Sequence, residues 1–160
     1  MKRLILFTFL VSSFAMAGII PADTQALKFN AWYIKQIAHN IFPVADDPTA
    51  LEPYVIIDTL NKLKQAYRSN ELEEDYFLKV QDFADEDWSK HISIDLIIAD
   101  PICTNVYLTF GTGESSQKVI DCMLEEKGEW KNKSETTPNN TKNTPIKKKP
   151  TTYPASHRYL

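Results

Sequence analysis

The chain has 160 residues, of which 43% are hydrophobic and 24% are charged, and its formal net charge is −3. This length corresponds to about one domain at the usual ~100–200 residues per domain. A membrane-spanning helix requires roughly 20 apolar residues, and no apolar run after residue 17 approaches that length. We therefore expect that this chain does not span a membrane.

The first 17 residues differ in composition from the rest of the chain. Lys2 and Arg3 precede an apolar run over residues 4–14, and Ala15 and Ala17 then place small residues two positions apart. A positive start, a short apolar run and a small-residue site are typical of a cleaved signal peptide. The segment predicts export to the periplasm, with secretion as the alternative, and a mature chain that starts at Gly18. The absence of Cys at that position argues against a lipid anchor.

The first predicted helix starts at a cap formed by Asp23 or Thr24, runs to about Ile41 and is ended by Pro43. Apolar side chains recur along it at steps of three and four residues, which places them on one face. That face comprises Leu27, Ala31, Ile34, Ala38 and Ile41, and it is widened by Phe29, Trp32, Tyr33 and Ile37.

A second amphipathic helix is predicted over residues 53–68, with Pro53 in its first turn. Its apolar face consists of Ile56, Leu60, Leu63 and Tyr67. An acidic patch follows, made of Glu71, Glu73, Glu74 and Asp75.

From His91 the apolar period changes to two, which predicts strands. The first strand would bury Ile92, Ile94, Leu96 and Ile98; the second contains Val106, Leu108 and Phe110; a third covers residues 118–124, and a short fourth starts at residue 129. Helices followed by a run of strands predict an α+β fold. In that fold two N-terminal amphipathic helices pack on a curved antiparallel sheet of three to four strands.

The two cysteines are predicted to form a disulfide. A hairpin turn centred on Thr112 and Gly113 places Cys103 opposite Cys122 and Val106 opposite Val119. Opposed Cβ atoms of antiparallel strands lie about 4.5–5.5 Å apart, which is close to what a disulfide requires, and export favours oxidation. Two reduced thiols, or a zinc site with His39 or His91, are the alternatives. The cysteine spacing matches no standard zinc pattern, so we predict neither metal nor cofactor.

Charge is distributed unevenly along the chain. Residues 18–130 contain 9 Lys and Arg against 20 Asp and Glu, whereas residues 131–160 contain 7 Lys and Arg against 1 Glu. The segment 132–160 is rich in Pro, Asn, Thr and Lys and is predicted to be a disordered basic tail after a single domain over residues 18–131. Outside the cytoplasm nucleic acid is not the expected partner, so Lys147, Lys148 and Lys149 would either contact anionic envelope surfaces weakly or remain solvated.

Several short motifs resemble one family of bacterial exported proteins. The motifs are Trp32-Tyr33, Pro53-Tyr54-Val55, Asp75-Tyr76-Phe77, Gln81-Asp82-Phe83, Trp88 and Gly128-Glu129-Trp130-Lys131. Together, over residues 25–131, they resemble the family called domain of unknown function 3828. The resemblance implies a signal peptide and a cone-shaped layout similar to nuclear transport factor 2 and the cystatins, but it implies no activity.

Two functional hypotheses follow from the same segment. Aromatic residues beside acidic ones suit an interface with a basic protein, and the candidate interface residues are Asp75, Tyr76, Phe77, Gln81, Asp82, Phe83 and Trp88. The first hypothesis is therefore a non-catalytic binding module, for example an inhibitor or immunity-type protein. The alternative is a small-molecule binder or an acid–base enzyme that uses Asp75, Tyr76, Asp82 and Asp95 around a cavity. The sequence contains no catalytic triad spacing, so we predict a protein that is not an enzyme.

Overall fold

The helices precede the strands in chain order. The computed structural model describes residues 20–136 apart from residues 82 and 84. The α-helices are α1 (Ala22–Ala38), α2 (Pro43–Asp46), α3 (Ile57–Arg68) and α4 (Asp85–Lys90), with a 3-10 turn at Pro48–Leu51. The strands are β1 (Ile92–Ala99), β2 (Thr104–Phe110), β3 (Gln117–Glu126) and β4 (Glu129–Thr136).

The sheet is a meander in which each strand pairs antiparallel with the next, in the order β1-β2-β3-β4. Helix α1 lies across it and contacts all four strands. This arrangement confirms the α+β prediction. The core forms between α1 and one face of the sheet, with α3 contributing from the side; it includes Phe29, Tyr33, Ile34, Leu60, Leu63, Val106, Leu108, Phe110, Val119 and Met123.

Helix α1 begins and ends earlier than predicted. It starts at Ala22 directly after Pro21, so neither Asp23 nor Thr24 is its cap. At the other end Asn40 adopts φ +58°, and the Ile41 amide donates to the Gln36 carbonyl. A left-handed residue with this hydrogen bond is a common helix stop. Ile41 therefore lies outside the helix and is exposed rather than part of its apolar face.

Helix α3 starts at Ile57, four residues after the predicted start, because the preceding residues are engaged elsewhere. The Asn132 amide in β4 donates to the Tyr54 carbonyl at 2.6 Å, and the Ile56 amide donates to the Asn132 carbonyl at 3.0 Å. This segment therefore covers the outer edge of β4 and cannot be helical. Leu60 is buried as predicted.

Strand β1 contains a bulge that overturns the predicted apolar face. Ile94 pairs with Leu108, but the register shifts before Leu96, which pairs with Tyr107. One extra residue in a strand reverses the in–out alternation of everything after it. Leu96 and Ile98 consequently lie on the face of the sheet away from α1, where they are 51% and 42% exposed.

The β2–β3 register differs from the predicted one by two residues. Val119 pairs with Leu108 rather than Val106, because the connection contains a 3-10 turn at Gly113–Ser115 in place of a two-residue turn. A shift of two preserves the alternation of side chains. The predicted disulfide is confirmed: Cys103 precedes β2 and bonds Cys122, with a Cα–Cα distance of 5.5 Å.

Strand β4 runs to Thr136, so the predicted domain end at residue 131 is too early. Asn132 is polar, yet its backbone is bonded to the segment at Tyr54 and Ile56 in addition to its pairing with β3. This pairing does not depend on apolar side chains. The predicted signal peptide and residues 137–160, including Lys147, Lys148 and Lys149, lie outside the described residues. Within the described part, no helix is both long and apolar enough to cross a membrane.

Candidate protein-binding surface

Asp75 organises the loop that follows α3. One carboxylate oxygen accepts from the Phe77 and Leu78 amides at 2.9 and 2.8 Å, and the other accepts from the Tyr33 hydroxyl at 2.7 Å. Burial raises the pKa of Asp75 above its ordinary value, although the Tyr33 hydroxyl and the two amides oppose that rise. The residue thus connects the loop to α1, and both of its oxygens are engaged.

Tyr76 and Phe77 belong to an aromatic cluster. Phe77 is fully buried, and its ring lies 5.0 Å from each of the rings of Phe29, Tyr33 and Tyr76. Edge-on contacts at such distances contribute to core packing. Phe77 therefore cannot belong to an exposed interface, contrary to the sequence prediction, whereas Tyr76 remains half-buried.

The remaining predicted interface residues do not form one surface. Gln81 is exposed, Asp82 lies outside the described residues, and half-buried Phe83 packs edge-on against Trp88 at 5.4 Å. The Trp88 indole is buried and donates to the Ser115 carbonyl at 2.8 Å. Trp88 is a core residue, so the prediction that it contacts a partner is wrong.

Asp87, which was not among the predicted site residues, connects α4 to the β2–β3 turn. Its carboxylate accepts from the Thr112 amide at 2.7 Å and from the Ser115 hydroxyl at 2.9 Å, and it contacts His91 Nδ1 at 2.9 Å. The Thr112 amide, and after it the Ser115 hydroxyl, lower the pKa of Asp87. Asp87 stays ionised and keeps the end of the sheet fixed to α4.

Among the residues that the structure describes, the largest run of exposed apolar side chains lies on β1 and the loop after it. We call Leu96, Ile97, Ile98 and Ile102 the β1 strip; Ile97 is 46% and Ile102 66% exposed. Ile92 and Ile94 pack against the core, whereas the second half of the strand is exposed. The sequence did contain a signal for this surface, because an uninterrupted apolar run from Leu96 to Ala99 does not fit a strand with one polar face.

Hydrogen bonds and the disulfide fix the loop that carries Ile102. One Asp100 carboxylate oxygen accepts from the Ile102 and Cys103 amides at 2.8 and 2.9 Å, and the other accepts from the Asn105 side chain. The Cys103 amide, followed by that of Ile102, lowers the pKa of Asp100, which stays ionised. The bond from Cys103 to Cys122 attaches the loop to β3.

Of the acid–base candidates of the alternative hypothesis, the three that the structure describes, Asp75, Tyr76 and Asp95, do not line the depression found on α3. That depression is lined by Asn61, Lys64, Gln65, Arg68 and Ser69. Asp95 instead accepts from the Thr109 hydroxyl at 2.6 Å and lies 3.8 Å from the Lys118 ammonium group.

Comparison with known proteins gives structural relatives. No protein-family model matches the chain, and no curated protein matches it, so the resemblance to domain of unknown function 3828 stays a prediction. The fold is similar to a chain of the native type VI effector–immunity complex Tae3–Tai3 from Ralstonia pickettii, with 25% identity and a TM-score of 0.66 over 74% of this chain and 95% of that chain. The selenomethionine form of that complex gives 26% identity and a TM-score of 0.64, over 74% and 97% of the two chains. The described fold is thus that of a chain found in an effector–immunity complex.

Proposed function

We propose that this chain is an exported immunity-type protein that binds a protein effector and neutralises it without catalysing a reaction. The observation that carries the proposal is the similarity to a chain of an effector–immunity complex, which extends over 95% of that chain. The likeness is therefore to a whole partner of such a complex and not to one shared motif.

The state of the acidic residues supports the immunity side of such a pair. Both carboxylate oxygens of Asp75 accept hydrogen bonds from Tyr33, Phe77 and Leu78. Asp87 and Asp100 likewise accept several hydrogen bonds that fix a turn or a loop. Side chains held in this way have structural roles, which fits a protein without catalytic activity.

The finer features of the proposal concern charge and compartment. The excess of 20 acidic over 9 basic residues in residues 18–130 suits a basic effector surface, since complementary charge accelerates encounter. The signal-type segment at residues 1–17 and the disulfide suit action in the periplasm, where cysteines are oxidised.

Deletion of the gene in its native bacterium tests the function. We expect the deletion strain to be killed when it is grown in contact with sister cells that carry the effector, and a plasmid copy of the full chain to restore survival. A copy that starts at residue 18 and stays in the cytoplasm should not restore survival. Equal survival of deletion and parent strains would contradict the proposal.

A further inference from the structure

The two outer edges of the sheet differ. On β4 the backbone at Asn132 is bonded by Tyr54 and Ile56, and the Lys133 carbonyl accepts from the Thr59 hydroxyl at 2.5 Å. On β1 no described segment pairs with the outer edge. Proteins commonly protect a free edge with charges, proline or a covering element. Here the free edge carries the apolar β1 strip.

We propose that the β1 strip is the surface that binds the effector, so this inference rests on the proposed function and adds the place of contact. The strip exposes apolar side chains on both sides of one strand. Leu96 and Ile98 lie on the face away from α1, beside the half-buried Tyr107, and Ile97 lies on the other face. Neighbouring exposed apolar groups of this kind mark interaction sites more often than isolated ones do.

The loop at one end of the strip has a fixed backbone before any partner binds. Ile102, its most exposed member, is carried by a loop that the Asp100 carboxylate fixes through two amides and that the disulfide attaches to β3. A loop whose backbone is already fixed loses less conformational entropy on binding, so its side chains contribute more to affinity. Ile102 therefore has the properties of a residue that inserts into a partner's apolar pocket.

Charge around the strip defines the partner's surface. Asp95 and Asp100 are exposed and flank Leu96, Ile97 and Ile98. The Lys118 ammonium group lies 3.8 Å from Asp95, and the charge of Lys133 acts on Asp100. The complementary surface is an apolar pocket with a basic rim. A second copy of this chain fits less well, because a two-fold symmetric contact would bring the same acidic rim against itself.

Variants in the contact assay between deletion strain and sister cells test the inference. We expect Ile102→Asp and Leu96→Asp to lose protection, because charge in a central apolar contact weakens binding by about 30-fold or more. The matched control is Ile57→Asp, since Ile57 is 54% exposed at the start of α3, beside the opposite edge of the sheet. The control should protect as the parent chain does. Thermal unfolding of each purified variant verifies folding, and these exposed sites should tolerate the change.

The outcomes separate the two proposals. If the parent chain protects and both strip variants protect equally well, the strip is not the contact surface, although the proposed function stands. Loss of protection by Ile57→Asp alone would place the contact beside α3. If the parent chain gives no protection, the proposed function fails and the strip loses its partner. Sedimentation that shows a dimer of the parent chain and a monomer of Ile102→Asp would assign the strip to self-association and overturn the inference.

Discussion

Two glycines of the β2–β3 turn have the same backbone handedness but different surroundings. Gly111 and Gly113 adopt φ +73° and +57°, where a Cβ atom is unfavourable. A Cβ on Gly111 would lie 2.6 Å from Trp88 Cδ1 and 2.7 Å from Asp87 Oδ2, whereas one on Gly113 would meet nothing within 4 Å. Gly111 therefore has a packing role in addition to its conformational one.

We expect Gly111→Ala to lower the free energy of unfolding by about 2–4 kcal/mol, as the sum of left-handed strain and overpacking. Gly113→Ala, the matched control, carries the strain alone and should cost about 1 kcal/mol. Urea denaturation of both variants measures the difference. Equal losses would show that the turn moves away from Trp88 without cost.

Asp75 gives the stability a distinctive pH dependence. Because burial raises its pKa, the carboxyl contributes most when it is protonated, below its ordinary value of 3.8, and this contribution is lost as pH rises through the folded-state value. In Asp75→Asn that dependence should disappear. We therefore expect the free energy of unfolding of the parent chain, relative to the variant, to fall as the pH rises from the ordinary value of 3.8 through the higher folded-state value.

Urea denaturation across that pH range measures the difference, and Asp58→Asn is the control for the loss of one exposed charge at α3. The control should give a difference without that trend. A parent chain that gained stability over Asp75→Asn with rising pH would contradict the assignment of burial as the dominant cause.

At the scale of elements, the disulfide joins the end of the β1–β2 connection to β3. It closes a loop between residues separated by 19 positions, and cross-links of this size typically contribute about 3 kcal/mol. We expect the double variant Cys103→Ser/Cys122→Ser to lose about that free energy of unfolding. The parent chain measured under reducing conditions is the control and should match the variant. A variant as stable as the oxidised parent chain would contradict the prediction.

The elements that the sequence predicted well are those in which one physical signal dominates. The existence of α1 could be read from the three- and four-residue spacing of its apolar side chains. Its core face was predicted only in part: Ile34 is buried, as are Phe29 and Tyr33, which were predicted to widen the face. Ala31 of the predicted face is exposed and Leu27 is half-buried, so the true core face is rotated from the predicted one. The start of α3 could not be read, because residues 54–56 pair with β4, which is distant in sequence. The bulge before Leu96 was equally hidden, since Ile92, Ile94, Leu96 and Ile98 fit a regular strand and only the pairing with β2 shows the shift.

The residues of the candidate site were also difficult to predict, because their burial depends on contacts with other parts of the chain. Aromatic residues beside acidic ones predicted an exposed surface at Phe77 and Trp88, but residue type alone does not distinguish a core aromatic from an interfacial one. Their neighbours Phe29, Phe83 and Phe110 come from other elements, and these contacts decide their burial. The apolar run from Leu96 to Ala99 was a signal for the β1 strip, but only the bulge shows which face of the sheet each of its side chains occupies.

For the whole molecule, export and stability should be linked. A copy of the full chain, including residues 1–17, is expected to give a periplasmic protein that starts at Gly18 and contains the disulfide. Its intact mass should be lower than that of the reduced form by two hydrogen atoms. A copy that starts at residue 18 should remain in the cytoplasm with free thiols and unfold at lower urea concentration. Free thiols in the exported protein would contradict the link.

The difference between the two edges of the sheet also determines how far an assembly can grow. A chain with two open edges can receive a strand on each side and so propagate into a fibre. Among residues 20–136, the backbone of β4 is bonded on its outer side at Asn132, whereas β1 has no partner on its outer side. The β1 edge is therefore the more open of the two. A strand added there would leave the next chain with an edge that is obstructed at Asn132, which disfavours a continuous row of strands.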